Sequence, residues 1–120
     1  PPSGCILPGI VDPVDYLKRS SVYINSSRHE SFGVNILEAM CAGLPTIVTE
    51  ACGAAELVRK VDTSLVVPVD PGAIAEKCIW LLEHPDEGQK IGKRLQRLAR
   101  IYTRRRSIEQ FKKTFDRECT

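Results

Sequence analysis

The chain has 120 residues, 42% of them hydrophobic and 27% charged, and a net charge of +2. These values suit one globular domain with a real core and exclude wholesale disorder, and no apolar run approaches the ~20 residues of a membrane span. The five cysteines (Cys5, Cys41, Cys52, Cys78 and Cys119) are odd in number and show no C-x-x-C spacing, and there are only two histidines, His29 and His84. That argues against a disulfide framework or a metal cluster and for a reducing compartment.

The sequence opens on Pro1 without a methionine and without a signal-peptide pattern, as a piece of a longer polypeptide would. "CILPG" is a candidate strand that Pro8 demotes to an edge or a strand end. "DPVD" predicts a helix with Asp12 as N-cap, Pro13 at the first helical position and Asp15 in the first turn. "SVYIN" (Ser21–Asn25) predicts a buried strand, and a loop, "SSRHESFG", leads into a helix from about Gly33 to Ala42. In that helix Ala39 and Ala42 are small enough to lie close against a sheet, and Gly43 suits a left-handed C-cap.

"PTIVT" (Pro45–Thr49) and "SLVV" (Ser64–Val67) predict two more buried strands. Asp70 and Pro71 then start a helix whose stripe is Ile74, Cys78, Leu81 and Leu82, stopped by Pro85. Asp86 is the expected N-cap of the next helix, with a stripe of Ile91, Leu95 and Leu98. A last helix is expected from about Arg104, carrying Ile108, Phe111 and Phe115. Cys41 and Cys78 fall within apolar helical patterns and are expected as buried thiols.

This alternation predicts an α/β fold: part of a Rossmann-like parallel sheet with helices on both faces, in a single domain spanning residues 1–120. Three or four strands is thin for such a sheet, so an incomplete N-terminal side is expected. Charge is uneven. Between Glu87 and Lys113 there are ten Lys/Arg against two acidic residues, while residues 1–86 are net acidic. The basic third suits a phosphate-rich surface, either nucleic acid or anionic lipid headgroups.

In an open α/β sheet, ligands bind where strands end and the following helices begin, which singles out the loop after Asn25. Gly33 allows a ligand close to the backbone, and the free N–H groups near Phe32, Gly33 and Val34 can hold an anion such as a phosphate. Glu30 and Glu38 are acceptor-only carboxylates, each able to take two hydroxyl hydrogen bonds from a vicinal diol of the kind sugars and ribose present. On spacing alone, Glu38 reads equally as a solvated helical carboxylate and Glu30 as a loop charge or cap. Arg28 and His29 read as exposed loop residues.

The segment "SSRHESFGVNILEAMCAGLPTIVTEACGAAELV" (Ser26–Val58) resembles the donor-site segment of retaining glycosyltransferases of the GT-B fold, family 4 (group 1 type). Glu30 and Glu38 match the family's E-x7-E motif. The flanking stretches "LPGIVDPVDYLKRSSVYIN", "VVPVDPGAIAEKCIWLLEHPD" and "YTRRRSIEQFKKTF" are similar to its neighbouring elements. The resemblance implies that Glu30 hydrogen-bonds the donor sugar and is the candidate catalytic residue. It implies that Ser31 and the amides of Phe32, Gly33 and Val34 line the sugar and diphosphate, and that Glu38 holds the ribose hydroxyls. It also implies no cofactor and no bound metal, the nucleotide-diphosphate sugar being the donor substrate.

The sequence departs from the family pattern in three places. "VDTSLVV" lacks the glycines common before the last strand, Cys52 stands where a glycine is usual, and so does Ser31. The family's basic pair that clamps the diphosphate, and its acceptor-binding N-terminal domain, are expected upstream of Pro1. The 120 residues alone are therefore expected to be inactive.

The resemblance thus implies the donor-binding C-terminal part of a glycosyltransferase. It would act in the cytoplasm, with a carbohydrate or lipid-linked acceptor, and with peripheral contact at the inner face of a membrane as a further expectation. An alternative is a catalytically inactive nucleotide-binding module or split subunit of the same fold. A nucleic-acid-binding domain is disfavoured, because Lys90, Lys93, Arg94, Arg97 and Arg100 fall mostly opposite the Ile91–Leu95–Leu98 stripe, as on any solvated helix face, and no recognition motif accompanies them.

Overall fold

A computed structural model describes residues 2–29 and 33–119, with side chains through Thr103. Along the chain come α1 (Pro13–Arg19), β1 (Tyr23–Asn25), α2 (Val34–Cys41), β2 (Thr46–Thr49), α3 (Ala55–Arg59), a 3-10 turn (Thr63–Leu65), β3 (Val66–Val67), α4 (Pro71–Glu83) and α5 (Pro85–Cys119). The three strands form one parallel sheet in the order β1-β2-β3. Asn25 pairs with Val48, and Thr49 with Val67.

Register explains the layering. Ile24 pairs with Ile47, so the two side chains leave the same face of the sheet. Ile24 lines a groove with Ile74, Cys78 and Ile79 of α4, which places α4 over that face. The β1-to-β2 and β2-to-β3 connections run through α2 and α3, and right-handed crossovers put both on the opposite face. All four residues of β2 are buried, as expected of a strand covered on both sides.

The core runs from Ile36, Leu37 and Met40 of α2, through Ile47 and Val48, to Leu95 and Ala99 of α5. Ala39 is fully buried, so its methyl sets the close approach of α2, whereas Ala42 is exposed and takes no part in it. Gly43 has φ +81° and serves as the left-handed residue after α2. Gln96 Nε2 of α5 donates to the Cys41 carbonyl (2.9 Å), tying α5 to the end of α2.

The Asp12 and Asp70 caps form as expected, accepting from Val14 N–H and Ala73 N–H. Other expectations are corrected. "CILPG" is not a strand: Pro8 lacks a donor, Gly9 is left-handed, and Ile6 and Leu7 are more than three-quarters exposed. The third strand is shorter than Ser64–Val67, because Thr63–Leu65 coils into the 3-10 turn. Pro85 does not merely stop α4. It is the first residue of α5, whose Gly88 N–H donates to the His84 carbonyl, so Asp86 lies inside the first turn instead of capping it.

No break separates α5 from a helix at Arg104; one helix runs from Pro85 to Cys119. The side chains of Ile108, Phe111 and Phe115 lie outside the described residues. Leu82 is 57% exposed and falls off the α4 stripe, and Cys41 and Cys78 are only half-buried. Among the described cysteines it is Cys52 that is buried.

The missing glycines in "VDTSLVV" are accounted for by side-chain capping. Asp62 Oδ1 accepts from both the N–H (2.9 Å) and the hydroxyl (2.6 Å) of Ser64, and Lys77 Nζ reaches the same hydroxyl (2.8 Å). The turn then needs no left-handed residue, and among the described residues every positive φ belongs to a glycine outside it.

Candidate functional site

The carboxyl ends of β1 and β2, with the start of α2, form the edge where a ligand is expected. Gly33 opens α2 in the left-handed region (φ +94°, ψ +69°), and among the described residues no side chain caps the helix. An uncapped helix start leaves backbone N–H groups available, and the accumulated peptide dipoles favour an anion there. Gly33 is buried, while Val34, the first helical residue, is 59% exposed. An apolar side chain is thus left open at the edge itself.

Glu38 sits four residues beyond Val34, about 6 Å down the helix axis. It is exposed and lies at the rim of a groove whose other walls include Pro13, Val14, Leu17 and Lys18 of α1. Its carboxylate has no hydrogen-bond or ion-pair partner among the described residues. Glu56 of α3, by contrast, is engaged by Arg59. Among the described residues Glu38 is therefore an unspent acceptor, held by a helix that the core fixes through Ile36, Leu37 and Met40.

Glu30, Ser31 and Phe32 lie outside the described residues, so of the expected site the structure places Gly33 and Val34 at the start of α2 and Glu38 one turn further along it, on the side of Val34. Arg28 and His29 are exposed. Among the described residues no cluster of three His, Cys, Asp or Glu side chains is arranged to hold a metal ion.

Sequence reasoning did not single out a polar cluster at the same edge. Asn25 Oδ1 accepts from Ser27 N–H (3.0 Å) and from the Cys52 thiol (3.6 Å). The Thr49 hydroxyl donates to the Ser27 carbonyl and lies 3.5 Å from Cys52 Sγ. The available signal was a polar residue closing each apolar strand run, Asn25 in "YIN" and Thr49 in "TIVT".

Among the titratable groups, Asp62 stands out. Partial burial raises its carboxyl, but the Ser64 hydrogen bonds and the charges of Lys77 and Arg94 outweigh that and hold it below its ordinary value of 3.8. It lies in the turn before β3 and stabilises structure; it is not part of the α2 site.

Parallel strands with crossover helices and a glycine-opened helix at the carboxyl edge define a Rossmann-like α/β protein. More narrowly, the family described as glycosyl transferases group 1 matches residues 2–84, and the chain belongs to that family. It is similar to the D-rhamnosyltransferase WbpZ of Pseudomonas aeruginosa, with 31% identity over 72% of this chain and 24% of the relative. It is also similar to the N-acetyl-alpha-D-glucosaminyl L-malate synthase of Bacillus anthracis (33%, over 67% of this chain and 21% of the relative). A sucrose synthase of Thermosynechococcus vestitus shares 33% identity over 71% of this chain and 11% of its own length. The chain thus spans about a quarter or less of the curated relatives it matches. No solved structure matches it significantly.

Proposed function

We propose that this chain is the donor-binding part of a retaining glycosyltransferase that uses a nucleotide-diphosphate sugar. The observation carrying this reading is the Glu38 carboxylate, without a partner among the described residues, one turn inside a helix that opens on a left-handed, buried glycine. In this reading the Gly33 and Val34 amides face the diphosphate, and Glu38 accepts hydrogen bonds from the two ribose hydroxyls. Glu30, with Ser31 and Phe32 beside it, meets the sugar, where it touches the group being transferred. Positive potential at the start of α2 stabilises the charge that develops on the leaving diphosphate. No metal is assigned a role.

The acceptor, a carbohydrate or a lipid-linked glycan, is held in this reading by a domain outside these 120 residues. Two features support it. The outer edge of β1 has no strand partner among the described residues, and α1 buries none of its side chains. Both are surfaces that further chain would cover. The name of the Pseudomonas aeruginosa relative, a D-rhamnosyltransferase, supports the same class of reaction. The basic face of α5 leaves room for peripheral contact with an anionic membrane; no helix among the described residues is long and apolar enough to cross one.

A thermal-shift screen of the full-length polypeptide against UDP-, GDP- and ADP-sugars tests the proposal. One nucleotide class should raise the melting temperature well above the others. No shift with any of them contradicts it. Binding without sugar transfer would favour a nucleotide-binding module that has lost catalysis.

A further inference from the structure

We propose that Asn25, Thr49 and Cys52 are positioning residues that lock the strand end from which the Glu30 loop departs; the proposal rests on the donor-site reading above. The three side chains are 9%, 0% and 4% exposed and come from the ends of two neighbouring strands and the turn after the second. Together they bind both backbone polar groups of one residue. The Ser27 N–H is held by Asn25 Oδ1 at 3.0 Å, and the Ser27 carbonyl by the Thr49 hydroxyl at 2.5 Å. Cys52 Sγ bridges the two, 3.6 Å from Asn25 Oδ1 and 3.5 Å from Thr49 Oγ1.

Packing alone does not call for polar groups here. Asn25 is paired with Val48 and Thr49 with Val67, so valine fits the adjoining register positions. A buried polar side chain is tolerated when its hydrogen bonds are met, and among the described residues no buried side-chain polar atom is left unpaired. Ser27 lies three residues before Glu30 in sequence, and Gly33 is held at the start of α2 three residues after it. The cluster holds Ser27, and Gly33 is the N-cap of α2. The thiol of Cys52 makes a contact that the glycine usual in the resembling family could not make.

The inference separates sugar handling from nucleotide binding, since Glu38 stands on α2, away from the cluster. In the full-length polypeptide, Thr49→Val keeps the shape and removes the hydroxyl, and Thr49→Ser keeps the hydroxyl. The probes are UDP, GDP and ADP by calorimetry, and hydrolysis of UDP-glucose, GDP-mannose and ADP-glucose. With whichever nucleotide the wild type binds, Thr49→Val should keep the diphosphate affinity while hydrolysis of the matching sugar falls roughly ten- to a hundredfold, the scale of a small displacement in a site. Thr49→Ser should recover most of the rate. Amide exchange at Ser26–His29 should quicken in the valine variant alone.

Wild-type hydrolysis by Thr49→Val overturns the proposal. So does a parallel loss of affinity, rate and melting temperature in both variants, which marks a merely structural role. A wild-type protein that binds none of the three diphosphates overturns the donor-site reading itself, and this proposal with it.

Discussion

At the scale of single residues, Glu38 and Asp62 illustrate two fates of a carboxylate. Asp62 is spent locally: it caps the 3-10 turn through Ser64 and is reached by the charges of Lys77 and Arg94. Its folded-state pKa lies below the ordinary 3.8, so its contribution is present above that value and is lost as the pH falls through the lowered one. Asp62→Ala should cost about 1 kcal/mol in denaturant unfolding at neutral pH, with the gap to wild type closing on acidification below the ordinary carboxylate range. Glu38 is unspent among the described residues, and that distinction could not be read from the sequence. The E-x7-E spacing marked both glutamates as candidates, but whether a helical carboxylate is free depends on what other elements bring near it. The same holds for Asn25, Thr49 and Cys52, which are 27 residues apart in sequence at their extremes and meet only through parallel register. For Glu30, Glu30→Ala should impair sugar transfer more than nucleotide binding; turnover at the wild-type rate would remove it from the site.

Among the elements, helices announced by caps were legible and helices defined by packing were not. Asp12–Pro13 and Asp70–Pro71 supply both a side-chain acceptor and a preset φ, so α1 and α4 begin where these pairs predict. The α4–α5 junction misled because proline is compatible with ending one helix and with opening the next. Here a single non-helical residue, His84, suffices between them. The short α3 carries no side-chain cap and is stabilised by burial of Ala55, Leu57 and Val58, which local sequence does not reveal. The seam between α5 and the end of α2 gives a sharp test. A Cβ on Gly92 would lie 2.1 Å from the Gly43 carbonyl oxygen, a backbone atom that cannot swing away. Gly92→Ala should therefore destabilise by about 1–3 kcal/mol. Gly88, one turn earlier, meets nothing nearer than 3.7 Å, and Gly88→Ala should stabilise by about 0.5–1 kcal/mol through reduced backbone entropy. Urea midpoints of opposite sign check the pair; a neutral Gly92→Ala would mean that the two helices do not approach this closely.

For the molecule as a whole, the alternation of strands and helices was enough to give a parallel sheet covered on both faces, because buried parallel strands leave continuous apolar runs and crossover handedness leaves few arrangements. The length of α5 was not legible: 35 residues at 1.5 Å each span about 52 Å, close to the 57 Å long axis, yet its sequence had suggested two helices. On its packed half, Ile91, Leu95 and Ala99 are buried while Lys90, Lys93, Arg94, Arg97 and Arg100 face solvent, so the basic excess there is the outer side of a core helix. What unites the scales is α2: it opens on a left-handed glycine at the carboxyl edge of the sheet and carries, one turn further along, a carboxylate with no partner among the described residues. Calorimetric titration of the full-length polypeptide and its Glu38→Ala variant with the preferred nucleoside diphosphate tests the role given to that carboxylate most directly. The account predicts tight binding by the wild type and a roughly ten- to hundredfold loss in the variant, the worth of charge-assisted hydrogen bonds to the ribose. Equal affinities for the two proteins would contradict it.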